Sequence, residues 1–132
     1  MSAWNDFPKD TILHQKIGRE IWVNDSINQI RVREILDTYP LDFGEENEVV
    51  WAVIQHSSLE IQEQYLPKFI DAVEKGKLRG EFVAVMKDRI ACQSGKLQIY
   101  GSQGNYNDLG IFVPSEIEDL ENVDVRRAKM GM

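Results

Sequence analysis

The hydrophobic period of this 132-residue chain changes once, at Gly95, and that change decides what it can fold into. Before Gly95, apolar residues recur three and four apart, the spacing of one helix face. After it they alternate, the spacing of a strand. The pattern predicts a mainly α fold, four to five helices with one small β-hairpin, α+β only at the margin. A bundle-like core with the hairpin against one side is the economical layout.

Local signals divide the helical part. Lys9 to Glu20 places Leu13, Ile17 and Ile21 on one face, although Gly18 weakens a helix there by about 1 kcal/mol relative to Ala. Asp25 or Ser26 caps a second helix running to about Asp37, with Ser26 and Gln29 at capping-box spacing and Val32, Ile35 and Leu36 as its stripe. Tyr39-Pro40 ends it, because the residue before Pro avoids the helical region. Glu45 to about Gln55 starts acidic and is dense in Val49, Val50, Trp51, Val53 and Ile54, which predicts a helix buried on most sides. Ser57 then caps a fourth helix, with Glu60 as its reciprocal partner and Leu66, Phe69, Ile70 and Val73 as its stripe. Pro67 lies inside that stripe and predicts a kink or a division; Lys75-Gly76 is the stop. Glu81 to Gln93 carries Phe82, Met86 and Ile90 on one face.

Beyond Gly95, Lys96 to Ser102 reads as a strand, with Leu97 and Ile99 on one side and Gln98, Tyr100 and Ser102 on the other. Gly104 to Asp108 reads as a turn-rich loop, and Gly110 to Val113 as the returning strand that Pro114 stops. From Glu116 the chain is acidic, then basic at Arg126-Arg127, and reads as a loop with a short helical turn.

The length suits one domain over residues 1–132, large enough to bury roughly two-thirds of its unfolded surface. A net charge of −7 argues against a nucleic-acid partner, which needs a basic face to displace counterions. It argues equally against docking on an anionic membrane. The single cysteine, Cys92, permits no intrachain disulfide and fits a reducing compartment. The first residues carry no basic and apolar leader, and no apolar run reaches the length of a membrane span. A soluble cytoplasmic protein is the expectation.

Few residues can carry chemistry. His14 lies on a weak helix and reads as solvated. His56 follows the most apolar segment, at a helix C-terminus that favours imidazolium while burial opposes it. Such a histidine can serve as general acid or base, or simply bond a helix end. Asp88 and Arg89 sit mid-helix. Arg89, near the apolar face, needs a carboxylate or a bound anion, and Asp88 can orient a histidine or an arginine. An inter-helix salt bridge is the plainer alternative. Gln98, Tyr100 and Ser102, followed by Gln103, line one strand face beside Gly101, which permits close approach of a ligand. The wet face of an edge strand is the alternative. Two histidines and one cysteine give no zinc template, and there is no phosphate loop or nucleophile elbow. No metal and no cofactor are expected. Cys92 lies one turn after Asp88, whose charge discourages a thiolate.

Several segments together resemble one bacterial family known only as a domain of unknown function. They are Asp25-x-x-Asn28, Ile35-Leu36-Asp37-x-Tyr39-Pro40, Gln55-His56, Asp88-Arg89, Gly95-Lys96-x-Gln98-x-Tyr100-Gly101-Ser102-Gln103 and Val123-Asp124-x-Arg126-Arg127. The resemblance covers about residues 22–131. Its most specific part is Gln-x-Tyr-Gly-[Thr/Ser]-Gln, in which Ser102 stands where members usually have Thr. It implies that His56, Asp88, Arg89, Gln98, Tyr100 and Gln103 belong to one motif set. Two readings of that set stay open. In the first, His56 and Asp88 are catalytic, while Arg89, Gln98, Tyr100, Ser102 and Gln103 bind a small polar or anionic ligand. In the second the set is structural, and an acidic surface, Asp42 to Glu48 or Glu116 to Asp124, meets a protein partner as immunity-type or regulatory proteins do.

Overall fold

A computed structural model describes residues 26–132. The helix expected over Lys9 to Glu20, with His14, and the cap option at Asp25 lie outside the described residues. Helix α1 covers residues 26–38. It is followed by α2 (Glu46–Gln55), α3 (Leu59–Glu74) and α4 (Gly80–Gln93). A hairpin of β1 (Gly104–Tyr106) and β2 (Phe112–Pro114), a 3-10 turn (Leu120–Asn122) and α5 (Val123–Lys129) complete the order. The described chain is thus mainly α with one small antiparallel hairpin. None of its helices is long and apolar enough to cross a membrane.

The apolar stripes meet in one core, although Ile35 and Val49 stay exposed, so α2 is not buried on most sides as its composition suggested. Leu36 from α1, Ile54 from α2, Phe69 from α3 and Met86 from α4 are fully enclosed. At the rim of this core, Trp51 packs edge-on against Phe82 at 4.7 Å, and its indole N–H donates to the Phe82 carbonyl at 2.9 Å. Asn47 is a buried polar tie between loops. Its amide donates to the carbonyls of Leu41 and Lys77, and its oxygen accepts from Phe43 N.

Several expectations are corrected. The cap of α3 is Ser58, whose hydroxyl accepts from Ile61 N, whereas Ser57 turns back onto the Ile54 carbonyl. Of the kink or division expected at Pro67, the division does not occur: α3 runs through it. The carbonyl it leaves without a donor belongs to Glu63, and both residues are exposed, so solvent can satisfy it. Lys96 to Ser102 is not a strand. Only Gln98 pairs, in a single parallel bridge to Ile117; the first hairpin strand comes later, at Gly104–Tyr106, where a loop was expected, while the returning strand falls close to where it was expected. Pro114 ends up inside β2 instead of after it. Register pairs it with Gly104, on the side where no ladder N–H is needed.

Two devices deliver the chain from α4 to that hairpin. Gly95 ends the helix in a left-handed conformation (φ 74°), with Gly95 N bonding Cys92 O and Lys96 N bonding Ala91 O. The segment 96–103 then folds back over α4, where Asp88 waits.

Candidate functional site

Helix α4 turns Asp88 into the protein, where it is fully buried. A buried carboxylate is tolerable only if its oxygens are satisfied. Here Oδ1 accepts from Ile99 N at 2.8 Å and Tyr100 N at 2.9 Å. Oδ2 accepts from Ser102 N at 3.0 Å and from the Ser102 hydroxyl at 2.7 Å. The loop 99–102 is a concave row of N–H groups of the kind that binds anions, and the anion it holds is the protein's own side chain. Gly101 makes the turn at φ 75°, and a Cβ there would stand 2.9 Å from Ile117 Cδ1.

The far side of the same peptides carries positive charge. Arg126 Nε donates to Ile99 O at 3.0 Å, and its other nitrogens donate to the carbonyls of Asp119 (2.9 Å) and Glu118. Arg127 donates to Tyr100 O at 2.8 Å. The Ile99–Tyr100 peptide therefore has its N–H on a carboxylate and its C=O on a guanidinium ion, and is polarised in the direction that strengthens both hydrogen bonds.

Gln98 completes the cage. It is fully buried, and its amide nitrogen donates to Gln103 O at 2.8 Å and Ser115 O at 2.7 Å. Its amide oxygen accepts from Gln103 N at 2.8 Å. Its own backbone bonds Glu116 O and Glu118 N. The Gln103 side chain donates to the Ser102 hydroxyl at 3.2 Å. Tyr100 is buried alongside. Burial pushes its phenol pKa up, the Asp88 charge adds to the rise, and Arg126 opposes it. Burial first and Asp88 second also raise the Cys92 thiol.

The structure thus brings Asp88, Gln98, Ser102 and Gln103 into one network, with Tyr100 against it. It joins neither His56 nor Arg89 to that network by a hydrogen bond or ion pair. His56 is exposed at the end of α2 and lines a cleft of about 160 Å3 with Asn28, Gln29, Val49, Ala52 and Val53. Arg89 is half-buried on α4, and its Nε is enclosed without an acceptor. Among the described residues no three His, Cys, Asp or Glu side chains cluster as a metal site would require.

A family model matches residues 1–132 throughout, and its description is a family of unknown function, DUF6624. The chain belongs to this family. No curated protein and no solved structure matches it. The network in this DUF6624 chain also includes two residues that had no role among the candidates. Arg126 and Arg127 appear in the recognised Val-Asp-x-Arg-Arg segment, but nothing local indicates that their charges point at carbonyls 27 residues earlier.

Proposed function

We propose that this protein is an interaction module: the motif residues build a rigid base for the C-terminal segment, and the surface standing on that base meets a protein partner. One observation carries the reading. All four hydrogen bonds of the Asp88 carboxylate go to the loop 99–102, so the group has no capacity left to move a proton or hold a ligand. The Gln98 amide is likewise filled by backbone. The outward parts of the same segment hold the acidic stretch Glu116 to Asp124.

In-cell photo-cross-linking from position 106 tests this. A discrete partner adduct should form, survive His56→Ala, and disappear when Glu116, Glu118, Glu121 and Asp124 are all changed to Lys. An adduct indifferent to that reversal overturns the reading.

A second reading keeps a small polar or anionic ligand, favoured by the His56 cleft and the unfilled Arg89 Nε. Thermal-shift screening of anions separates the two. A stabilising ligand whose effect vanishes in both His56→Ala and Arg89→Gln supports the second and opposes the first.

A further inference from the structure

Resting on that interaction reading, we infer that the outer edge of β1 is a docking site for an extended, basic segment of another protein, which adds to the hairpin as a third strand. The backbone pattern defines the edge. Ser115 N bonds Gln103 O and Asn107 N bonds Ile111 O, each at 2.9 Å, on either side of the Asn105–Val113 pair. Alternation then points the N–H and C=O groups of Gly104 and Tyr106 outward. Among the described residues no backbone group satisfies them. Pro114 removes one outward donor from the edge of β2, so β1 offers the more complete template. Neither a bulge nor a lysine guards it, the usual devices that keep an edge from pairing.

The side chains around this edge are apolar and open. Tyr106 is 74% exposed, Leu109 83%, Ile111 57%, Phe112 40% and Val113 51%, and Tyr106 and Phe112 stack edge-to-face at 5.6 Å on one side of the hairpin. Apolar side chains gathered so closely on a surface mark contact sites.

Charge selects the occupant. Residues 97–125 contain six carboxylates and no lysine or arginine, so six of the chain's seven net negative charges lie there. Lys96 and Arg126 border this stretch in sequence, and Arg126 is turned inward onto three carbonyls and the Asp119 carboxylate, which leaves five of the six carboxylates without that cation. A second copy of this chain would bring the same negative charge to the same edge, and nucleic acid or an anionic bilayer would do so too. Residues 1–25 hold four acids and three bases and supply no complement. What fits is a strand alternating apolar residues, set beside the Tyr106–Phe112 face, with Lys or Arg.

The test titrates the isotope-labelled full chain with decapeptides alternating Val, Ile or Tyr with Lys or Arg. Amides of Gly104 and Tyr106 should shift and gain exchange protection. Replacing Lys by Glu in the peptide should abolish binding, and N-methylating alternate peptide residues, which blocks pairing, should weaken it at least about tenfold (about 1.4 kcal/mol). Tyr106→Pro should act like the N-methylated peptide. Should that proline disturb the hairpin, the N-methyl comparison on unaltered protein decides alone. Equal binding of N-methylated and plain peptides, or shifts elsewhere, overturns strand docking while leaving an acidic interaction surface in place. No binding below about 1 mM by any member also overturns it, and the cross-linking experiment then decides separately whether the protein is an interaction module at all.

Discussion

Replacing Asp88 by Asn separates a structural carboxylate from a catalytic one with almost no change of shape. The asparagine oxygen can keep Ile99 N and Tyr100 N, but its NH2 then faces Ser102 N, donor against donor, where 3.0 Å now separates acceptor and donor. The Ser102 hydroxyl can rotate and accept instead; the Ser102 amide cannot. An orphaned buried N–H costs about 1–3 kcal/mol, and the remaining bonds lose the charge assistance that made each about twice as strong. The sum is about 3–5 kcal/mol, a large share of the roughly 5–15 kcal/mol that keeps a domain folded. For a chain of this size it lowers Tm by roughly 10–20 °C. Urea denaturation gives the total and amide exchange gives its location. Amides of residues 99, 100 and 102 should lose protection first, while α3, whose core contacts are independent of the cage, should stay slow. A cost below about 1 kcal/mol, or amides of residues 99, 100 and 102 that stay as protected as those of α3, refutes the cage argument.

Other perturbations follow from the same geometry. Gly104→Ala places a Cβ 2.2 Å from Val113 O and 2.7 Å from Pro114 Cα, both backbone, so cross-strand NOEs between Asn105 and Val113 should vanish; intact NOEs would show that the hairpin is looser than described. His56→Ala removes an exposed ring that takes no hydrogen-bond partner among the described residues, so denaturant midpoints should move by less than about 0.5 kcal/mol, and a larger loss would reveal a structural role. The phenols of Tyr65 and Tyr100 are both raised by burial, with the hydrogen bond to Asp37 adding at Tyr65 and the charge of Asp88 at Tyr100. Their contribution is fully present below the ordinary tyrosine value of about 10 and is lost as pH rises through the folded values, so the urea midpoint should decline above that pH. A flat midpoint to pH 12, with tyrosinate absorbance appearing normally, would contradict their burial.

Sequence periodicity located the helices because each helix is decided by neighbours three and four residues away. α2 and α4 begin and end within a residue of where their caps and stops place them. The cap of α3 is Ser58 and not Ser57, whose hydroxyl is engaged by the Ile54 carbonyl at the end of α2 while its own carbonyl accepts from Gln62. The alternation after Gly95 is real, yet its polarity is inverted. Leu97, the apolar residue, is 43% exposed, while Gln98 is fully buried. Alternation reports which side chains share a side; only the partners decide which side is inside. Those partners are Asp88, 11 to 14 residues upstream, and Ser115, 17 residues downstream, and no local pattern announces them.

Of the candidate residues, Asp88, Gln98, Tyr100, Ser102 and Gln103 gather in one place and His56 and Arg89 do not, and the sequence could not show which use the gathered ones serve, because the side chains that move protons also saturate buried backbone. What separates the two uses is remaining capacity. Asp88 has none, whereas His56 has all of it and pairs with no carboxylate among the described residues. The hairpin explains why a fold would commit so many polar groups to one loop. No residue of β1 or β2 is buried, so hydrophobic burial cannot hold the hairpin, and a lone two-stranded hairpin is marginal in water. Its ends emerge at Gln103 and Ser115, the two residues whose carbonyls the Gln98 amide clamps. Gln98 is itself fixed at the foot of a loop that Asp88 and two arginines grip from opposite sides. Polar bonds at the base therefore stand in for a core, and the apolar side chains that a core would have consumed are left free on the outside, where a partner strand can cover them.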